Sequence, residues 1–217
     1  MNRLEFAGYV DHSLLKPNLT TEQIVSGCEY AREIQCASVC VNPVSVALSR
    51  DVLQGTKVAV GTVIGFPSGA HTTYAKVKEA EDAYRLGAVE LDMVINIGAL
   101  KSGKYAEVRK DVESVVRATP GIVKVILETC FLTDEEKIIG SKIVEEAGAH
   151  YVKTSTGFAA GGATLEDIEL IRRSVSDRMK IKAAGGIAGL DFSLKLIEAG
   201  CSRIGISRTA DIISCLK

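Results

Sequence analysis

Short apolar runs alternate with amphipathic segments from one end of this chain to the other. Eight of the runs read as brief, largely buried strands: residues 9–13, 37–41, 57–64, 89–94, 123–128, 151–154, 180–184 and 203–206. A helical pattern follows each one. Several of these helices carry start signals, with an acid or amide three residues after a threonine: Thr20-Thr21-Glu22-Gln23, Thr133-Asp134-Glu135-Glu136 and Thr164-Leu165-Glu166-Asp167. A glycine recurs just before the strands, in Leu86-Gly87-Ala88, Glu146-Ala147-Gly148-Ala149 and Glu198-Ala199-Gly200-Cys201, where a left-handed helix cap leads into the next strand. Eight strand–helix units in 217 residues, with no break in composition, predict one α/β domain over 1–217, a (β/α)8 TIM barrel. A doubly wound open sheet competes with it. That architecture gathers its glycines at one or two switch points, whereas here glycine and polar signals follow many strands.

Composition narrows the function classes. With 47% apolar residues the chain can fill a core and does not read as disordered. Lys plus Arg (26) nearly balances Asp plus Glu (27), and no long basic run appears, which argues against a nucleic-acid partner. No apolar stretch approaches a membrane span, and the segment from Met1 to Phe6 lacks the apolar core of a signal peptide, so a cytoplasmic location is expected. The six cysteines form no CxxC and no paired metal spacing, which fits reduced thiols. Neither a metal constellation nor a Ser-His-Asp ordering emerges, and no cofactor or metal is expected.

In a barrel the active site lies at the C-terminal strand ends. Asp11, Asp92, Lys124, Lys153 and Lys182 fall in the first, fourth, fifth, sixth and seventh runs, and they converge if their side chains point inward. Lys153 and Lys182 each sit in an apolar run just before a glycine-bearing turn. Lysine is rarely buried unless it is paired or chemically useful. Bringing a lysine from its ordinary pKa of ~10.4 to about 7 takes roughly 4–5 kcal/mol. A second ammonium about 4–5 Å away, at an effective dielectric near 20, supplies roughly 3–4 kcal/mol of that, and partial burial the rest. The neutral amine then adds to carbonyls. The bland alternative is that both lysines snorkel or pair with surface acids. Asp92, in the string from Glu90 to Asn96, is suited either to moving protons beside such an amine or to a plain ion pair with Lys124 or Lys182. Asp11 and Lys124 are open to the same two readings. His12 is a marginal candidate beside Asp11; His71 and His150 read as structural. Glycine clusters follow the last strands, at Gly161-Gly162, Gly185-Gly186 and Gly205-Ile206-Ser207. Exposed backbone N–H groups in such turns form anion cradles and point to a phosphorylated ligand.

Four strings carry a family resemblance: Lys153-Thr154-Ser155-Thr156-Gly157-Phe158, Glu90-Leu91-Asp92-Met93-Val94, Lys182-Ala183-Ala184-Gly185-Gly186-Ile187, and Asp11-His12-Ser13-Leu14-Leu15-Lys16-Pro17. They strongly resemble the deoxyribose-phosphate aldolases, and the likeness runs from about Asp11 to Ser207. The resemblance implies a metal-independent class I aldolase that reversibly cleaves 2-deoxy-D-ribose 5-phosphate to D-glyceraldehyde 3-phosphate and acetaldehyde. It implies Lys153 as the Schiff-base nucleophile, Lys182 as the group that perturbs its pKa, Asp92 as the proton carrier and Lys124 as a supporting residue. Gly157, Gly185, Gly186, Gly205 and Ser207 match its phosphate turns. Three departures stand out. Ala188 occupies the place of an arginine usual in relatives, and Arg208 occupies that of a second serine, so Arg208 is expected to replace the lost charge. Some members also end in a tyrosine that assists proton transfer; this chain stops at Ile213-Ser214-Cys215-Leu216-Lys217, and no such contribution is expected. A homodimer is expected. The rival readings are a Schiff-base barrel aldolase for another substrate and a silent barrel that binds sugar phosphates.

Overall fold

Eight parallel strands close into a barrel in which each pairs with the next in sequence and the last with the first. The computed structural model describes residues 1–216; Lys217, the last residue of the tail considered above, lies outside the described residues. The strands are β1 (Val10–Leu14), β2 (Ser38–Val41), β3 (Ala59–Ile64), β4 (Glu90–Val94), β5 (Ile122–Ile126), β6 (Tyr151–Lys153), β7 (Lys180–Ala184) and β8 (Arg203–Ile206). Helices surround them: α1 (Arg3–Ala7), α2 (Thr21–Ile34), α3 (Val46–Val52), α4 (Thr73–Leu86), α5 (Ile97–Lys101), α6 (Tyr105–Arg117), α7 (Asp134–Glu146), α8 (Leu165–Ser174), α9 (Leu190–Glu198) and α10 (Thr209–Ile213). This is the (β/α)8 barrel the pattern predicts. Among the described residues, no helix is long and apolar enough to cross a membrane.

The helix signals work as their chemistry dictates, with one exception. Thr20 and Thr133 each accept from the backbone N–H three residues on, and Gln23 and Glu136 return the bond to the cap residue's N–H. Thr164 accepts from Asp167 N–H, but Asp167 turns its carboxylate to Lys137, 2.7 Å away, instead of closing a box. Gly87 ends α4 in the left-handed conformation, φ 114°. The fifth strand stops two residues short of its predicted end because Glu128 is itself left-handed, φ 57°.

Register decides which side chains reach the barrel centre. Residues in register on adjacent parallel strands share a face, as do residues two apart on one strand. Asp92 pairs beside Lys124, Lys153 beside Lys182, and Lys182 beside Arg203. The intervening residues Leu91, Met93, Val123, Val125, Val152, Ile181 and Ile204 are fully buried in the apolar layer shared with the helices. At roughly 1.5–3 kcal/mol per buried side chain, that layer drives the fold and lets the barrel centre hold polar groups. Outside the barrel, Lys76 on α4 is buried too. Its Nζ donates to Asp111 Oδ2 on α6 at 2.6 Å and to the carbonyl of Val94, which ends β4, at 2.9 Å.

Candidate active site

Lys153 is the last residue of β6 and is 2% exposed. Its Nζ donates to Asp92 Oδ2 at 2.7 Å, and Lys182 Nζ donates to the same oxygen at 2.7 Å. The two nitrogens therefore lie within about twice that distance of one another. Asp92 Oδ1 accepts no hydrogen bond in the protein and has Lys124 Nζ 3.3 Å away. Lys124 donates to Asp11 Oδ2 at 2.8 Å and Glu90 Oε2 at 2.5 Å, while Lys182 Nζ is 2.5 Å from Asp11 Oδ2. Arg203 closes the far side, donating to Asp11 Oδ1 at 2.5 Å and to Glu90 Oε1 at 3.0 Å. Four cationic side chains thus share three carboxylates.

That imbalance singles out one amine. Burial pushes the Lys153 amine down; Asp92 pulls it part of the way back, and the ammonium of Lys182 adds a smaller downward push, leaving Lys153 below the ordinary lysine range. Burial also pushes Lys182 down, but Asp11 and Asp92 outweigh it and hold Lys182 above the ordinary range. For Lys124, burial is likewise outweighed by Asp11, Asp92 and Glu90. Burial would raise Asp92, yet Lys124, Lys153 and Lys182 keep its carboxyl well below the usual range. With Lys153 neutral, three cations face three carboxylates. Buried Cys40 is no competing nucleophile: burial, reinforced by Asp92, pushes its thiol up to about 11.

A cavity of about 510 Å³ opens above this group at the C-terminal strand ends. Asp11, Lys153 and Lys182 form its floor, and Gly157, Gly185, Gly186, Gly205, Ser207 and Arg208 line one wall. Gly185 has φ 83°, and a Cβ on Gly162 would come within 2.4 Å of the Gly185 carbonyl. Gly161 and Gly162 lie outside this cavity lining, and both allow close packing: a Cβ on Gly161 would come within 2.4 Å of Cys130 Cβ. Gly205 makes room for Lys182, since a Cβ there would sit 3.3 Å from Lys182 Cε. Arg208 is exposed and paired with Asp211 at 2.9 Å; Ala188 lies on the same wall. Lys16 faces the cavity from the loop after β1, and the half-exposed ring of Phe158 meets Phe66 edge to face at 5.1 Å.

His12 does not reach the site. Its Nδ1 lies 2.8 Å from Thr209 Oγ1, and burial lowers its pKa to about 4. His150 is exposed and accepts a backbone bond from Val123, and His71 is exposed. Three residues escaped the sequence reading. Glu90 and Arg203 each stand two positions before a residue already singled out, Asp92 and Gly205, and share its inward face, which is the signal that could have found them. Glu128 carries no comparable signal. Its buried carboxylate accepts from the backbone N–H of Thr156 at 3.2 Å and from the Thr156 hydroxyl, gripping the turn that follows Lys153.

A buried lysine amine held below its ordinary range beside a second ammonium, at the mouth of a (β/α)8 barrel, is the arrangement that suits a class I aldolase. The chain belongs to the DeoC/LacD family of aldolases, whose model matches residues 6–207. It is 51% identical over 215 residues to a deoxyribose-phosphate aldolase of Staphylococcus carnosus, covering 99% of this chain and 98% of that protein. Among solved structures, a putative deoxyribose-phosphate aldolase from Coccidioides immitis superposes with a TM-score of 0.95 at 40% identity, covering 99% of this chain and 86% of that one. A tetrameric deoxyribose phosphate aldolase from Aeropyrum pernix gives 0.91 at 27%, covering 98% and 91%.

Proposed function

We infer that Lys153 forms the Schiff base through which this aldolase reversibly cleaves 2-deoxy-D-ribose 5-phosphate to D-glyceraldehyde 3-phosphate and acetaldehyde. The observation that carries this reading is the single Asp92 oxygen shared by two buried lysines. Neutral Lys153 adds to the aldehyde carbon of the open-chain sugar, and water leaves to give an iminium. The iminium draws electrons from the bond between C2 and the hydroxyl-bearing C3, and that bond breaks as the C3 hydroxyl loses its proton, leaving a C1–C2 enamine on Lys153 and the aldehyde of glyceraldehyde 3-phosphate. Asp92 Oδ1, buried and without a hydrogen bond, is suited to take that proton through a water molecule. The product aldehyde leaves, the enamine on Lys153 is protonated at carbon, and hydrolysis frees acetaldehyde. Lys182 holds its proton throughout, which keeps the nucleophile's neighbour cationic and supplies a donor at the reacting centre.

The phosphate end of the substrate falls on the glycine turns. Backbone N–H groups around Gly157, Gly185, Gly186 and Gly205, with the Ser207 hydroxyl, offer donors, and Arg208 supplies positive charge in place of the arginine missing at Ala188. Its partner Asp211 is an exposed surface acid, a pairing weak enough for the guanidinium to exchange it for a phosphate. The same reading takes the chain as a single-domain cytoplasmic homodimer, with assembly checked by light scattering. Incubation with acetaldehyde and borohydride followed by peptide mass analysis tests the nucleophile: a reduced adduct on Lys153 is expected. Full cleavage of the deoxy-sugar by Lys153→Ala would overturn the assignment.

A further inference from the structure

Arg203 and Glu90 are among the charged groups of the barrel centre that the chemistry above does not use. Arg203 and Glu90 lie outside the cavity lining and make no hydrogen bond to Lys153. Arg203 bridges Asp11 and Glu90, and Glu90 in turn holds Lys124. We propose that Arg203 and Glu90 are positioning residues that set the charge balance of the barrel centre, and through it the pH at which Lys153 becomes reactive. This rests on Lys153 being the nucleophile.

The groups facing Lys153 can be followed strand by strand. β1 brings Asp11; β2 brings the Cys40 thiol; β3 has no titratable side chain. β4 brings Glu90 and Asp92, β5 Lys124, β7 Lys182 and β8 Arg203. On β6 itself, the Tyr151 ring lies 5.8 Å from Lys124 Nζ, with the exposed Lys180 against the same ring at 5.6 Å. Beyond β5, Glu128 is turned to Thr156. Counting charges at the centre gives Lys124, Lys182, Arg203 and protonated Lys153 against Asp11, Glu90 and Asp92. One cation is surplus, and Lys153 is the one held by a single carboxylate oxygen that it shares.

The two outer residues act on that surplus with opposite signs. Without the Arg203 charge, three lysines face three carboxylates and each has a reason to stay protonated. Lys182 is then drawn more fully to Asp11, which leaves Asp92 to Lys153. Neutralising Glu90 does the reverse: Arg203 and Lys124 crowd Asp11, Lys182 shifts towards Asp92, and Lys153 sheds its proton sooner. A unit charge removed roughly 10 Å away, at an effective dielectric near 20, moves an ionisation by about one pH unit.

The test is the acidic limb of kcat/KM for cleavage of 2-deoxy-D-ribose 5-phosphate, measured for the parent enzyme, Arg203→Gln, Arg203→Lys, Glu90→Gln and the double variant. The substrate's own phosphate ionises identically in every assay and drops out of the differences. The limb is expected to rise by about one pH unit in Arg203→Gln, to fall by about one in Glu90→Gln, and to return towards the parent in the double variant and in Arg203→Lys. A purely structural role lowers the rate at every pH and moves no limb. Unmoved limbs, or limbs that move the same way in Arg203→Gln and Glu90→Gln, overturn the proposal. Should Arg203→Gln fail to fold, Glu90→Gln and Arg203→Lys decide it: an unmoved Glu90→Gln limb overturns it. Borohydride trapping with acetaldehyde is run alongside on the parent. An adduct on Lys153 with unmoved limbs sinks this inference alone, whereas an adduct elsewhere sinks the nucleophile assignment and this inference with it.

Discussion

Two buried lysine sites sit on either side of β4, and they differ in one respect. Behind the strand, Lys76 is fully buried but shares Asp111, 2.6 Å away, with no other cation among the described residues, only with the Thr73 hydroxyl, and has the Val94 carbonyl as a second acceptor. Inside the barrel, Lys153 is buried to nearly the same degree but shares its carboxylate oxygen with Lys182 in a group that has one cation too many. Burial is common to both. One acid for one base makes a brace between α4, α6 and the end of β4, while the surplus cation makes an amine that can part with its proton. A lysine's depth in a fold therefore says little about its reactivity until the neighbouring charges are counted.

Substitutions at the two sites should separate these roles. Lys153→Ala is expected to lower cleavage by roughly 10⁴-fold or more, measured by coupled detection of glyceraldehyde 3-phosphate, because the covalent route is lost. Its thermal midpoint should stay level or rise, since the surplus buried charge is gone. Lys182→Met is next: removing a cation worth roughly 3–4 kcal/mol at this separation should cost about 10²–10³-fold in rate near neutrality. The sign of the pH effect follows from the direction of the Lys153 shift. Activity rises with pH through the depressed Lys153 ionisation, so losing the neighbouring ammonium moves that rise upward, and alkaline assays should recover part of the deficit. Lys76→Met inverts the pattern. It strands a buried Asp111 carboxylate and should lower unfolding free energy by about 3–5 kcal/mol in denaturant titrations, with no displacement of the acidic limb. At the exposed rim the effect is smallest: Arg208→Ala should raise KM for the phosphorylated sugar about three- to tenfold, less at high salt, and leave the non-phosphorylated sugar untouched. An unchanged KM would refute the exchange of Ala188 for Arg208.

Much of the molecule was legible beforehand because it rests on local rules. Alternating apolar runs and helices, threonine caps at Thr20 and Thr133, and glycine caps such as Gly87 follow from short-range chemistry, and the barrel follows from their order. Asp11, Asp92, Lys124, Lys153 and Lys182 stood out as charges inside apolar strands. What stayed hidden depends on register and on distance. Whether Lys182 and Lys153 meet on one oxygen is settled by how eight strands stagger. Arg203 opens its run like an ordinary strand-end charge, yet the barrel carries it across to Glu90 and Asp11. Gly161-Gly162 falls outside the cavity, and a glycine that permits close backbone approach looks the same in sequence as one that cradles an anion. Glu128 was invisible because a left-handed glutamate breaks the local rule that would have predicted it.

Glu128 also limits how freely this enzyme can be improved. A side chain in the left-handed region costs roughly 1–2 kcal/mol, which a glycine would recover. Glycine, however, has no carboxylate with which to hold Thr156, and the segment it would release leads straight from Lys153 to the turn at Gly157. The most obvious route to a hardier protein at this position therefore runs through a looser grip on the sugar's far end.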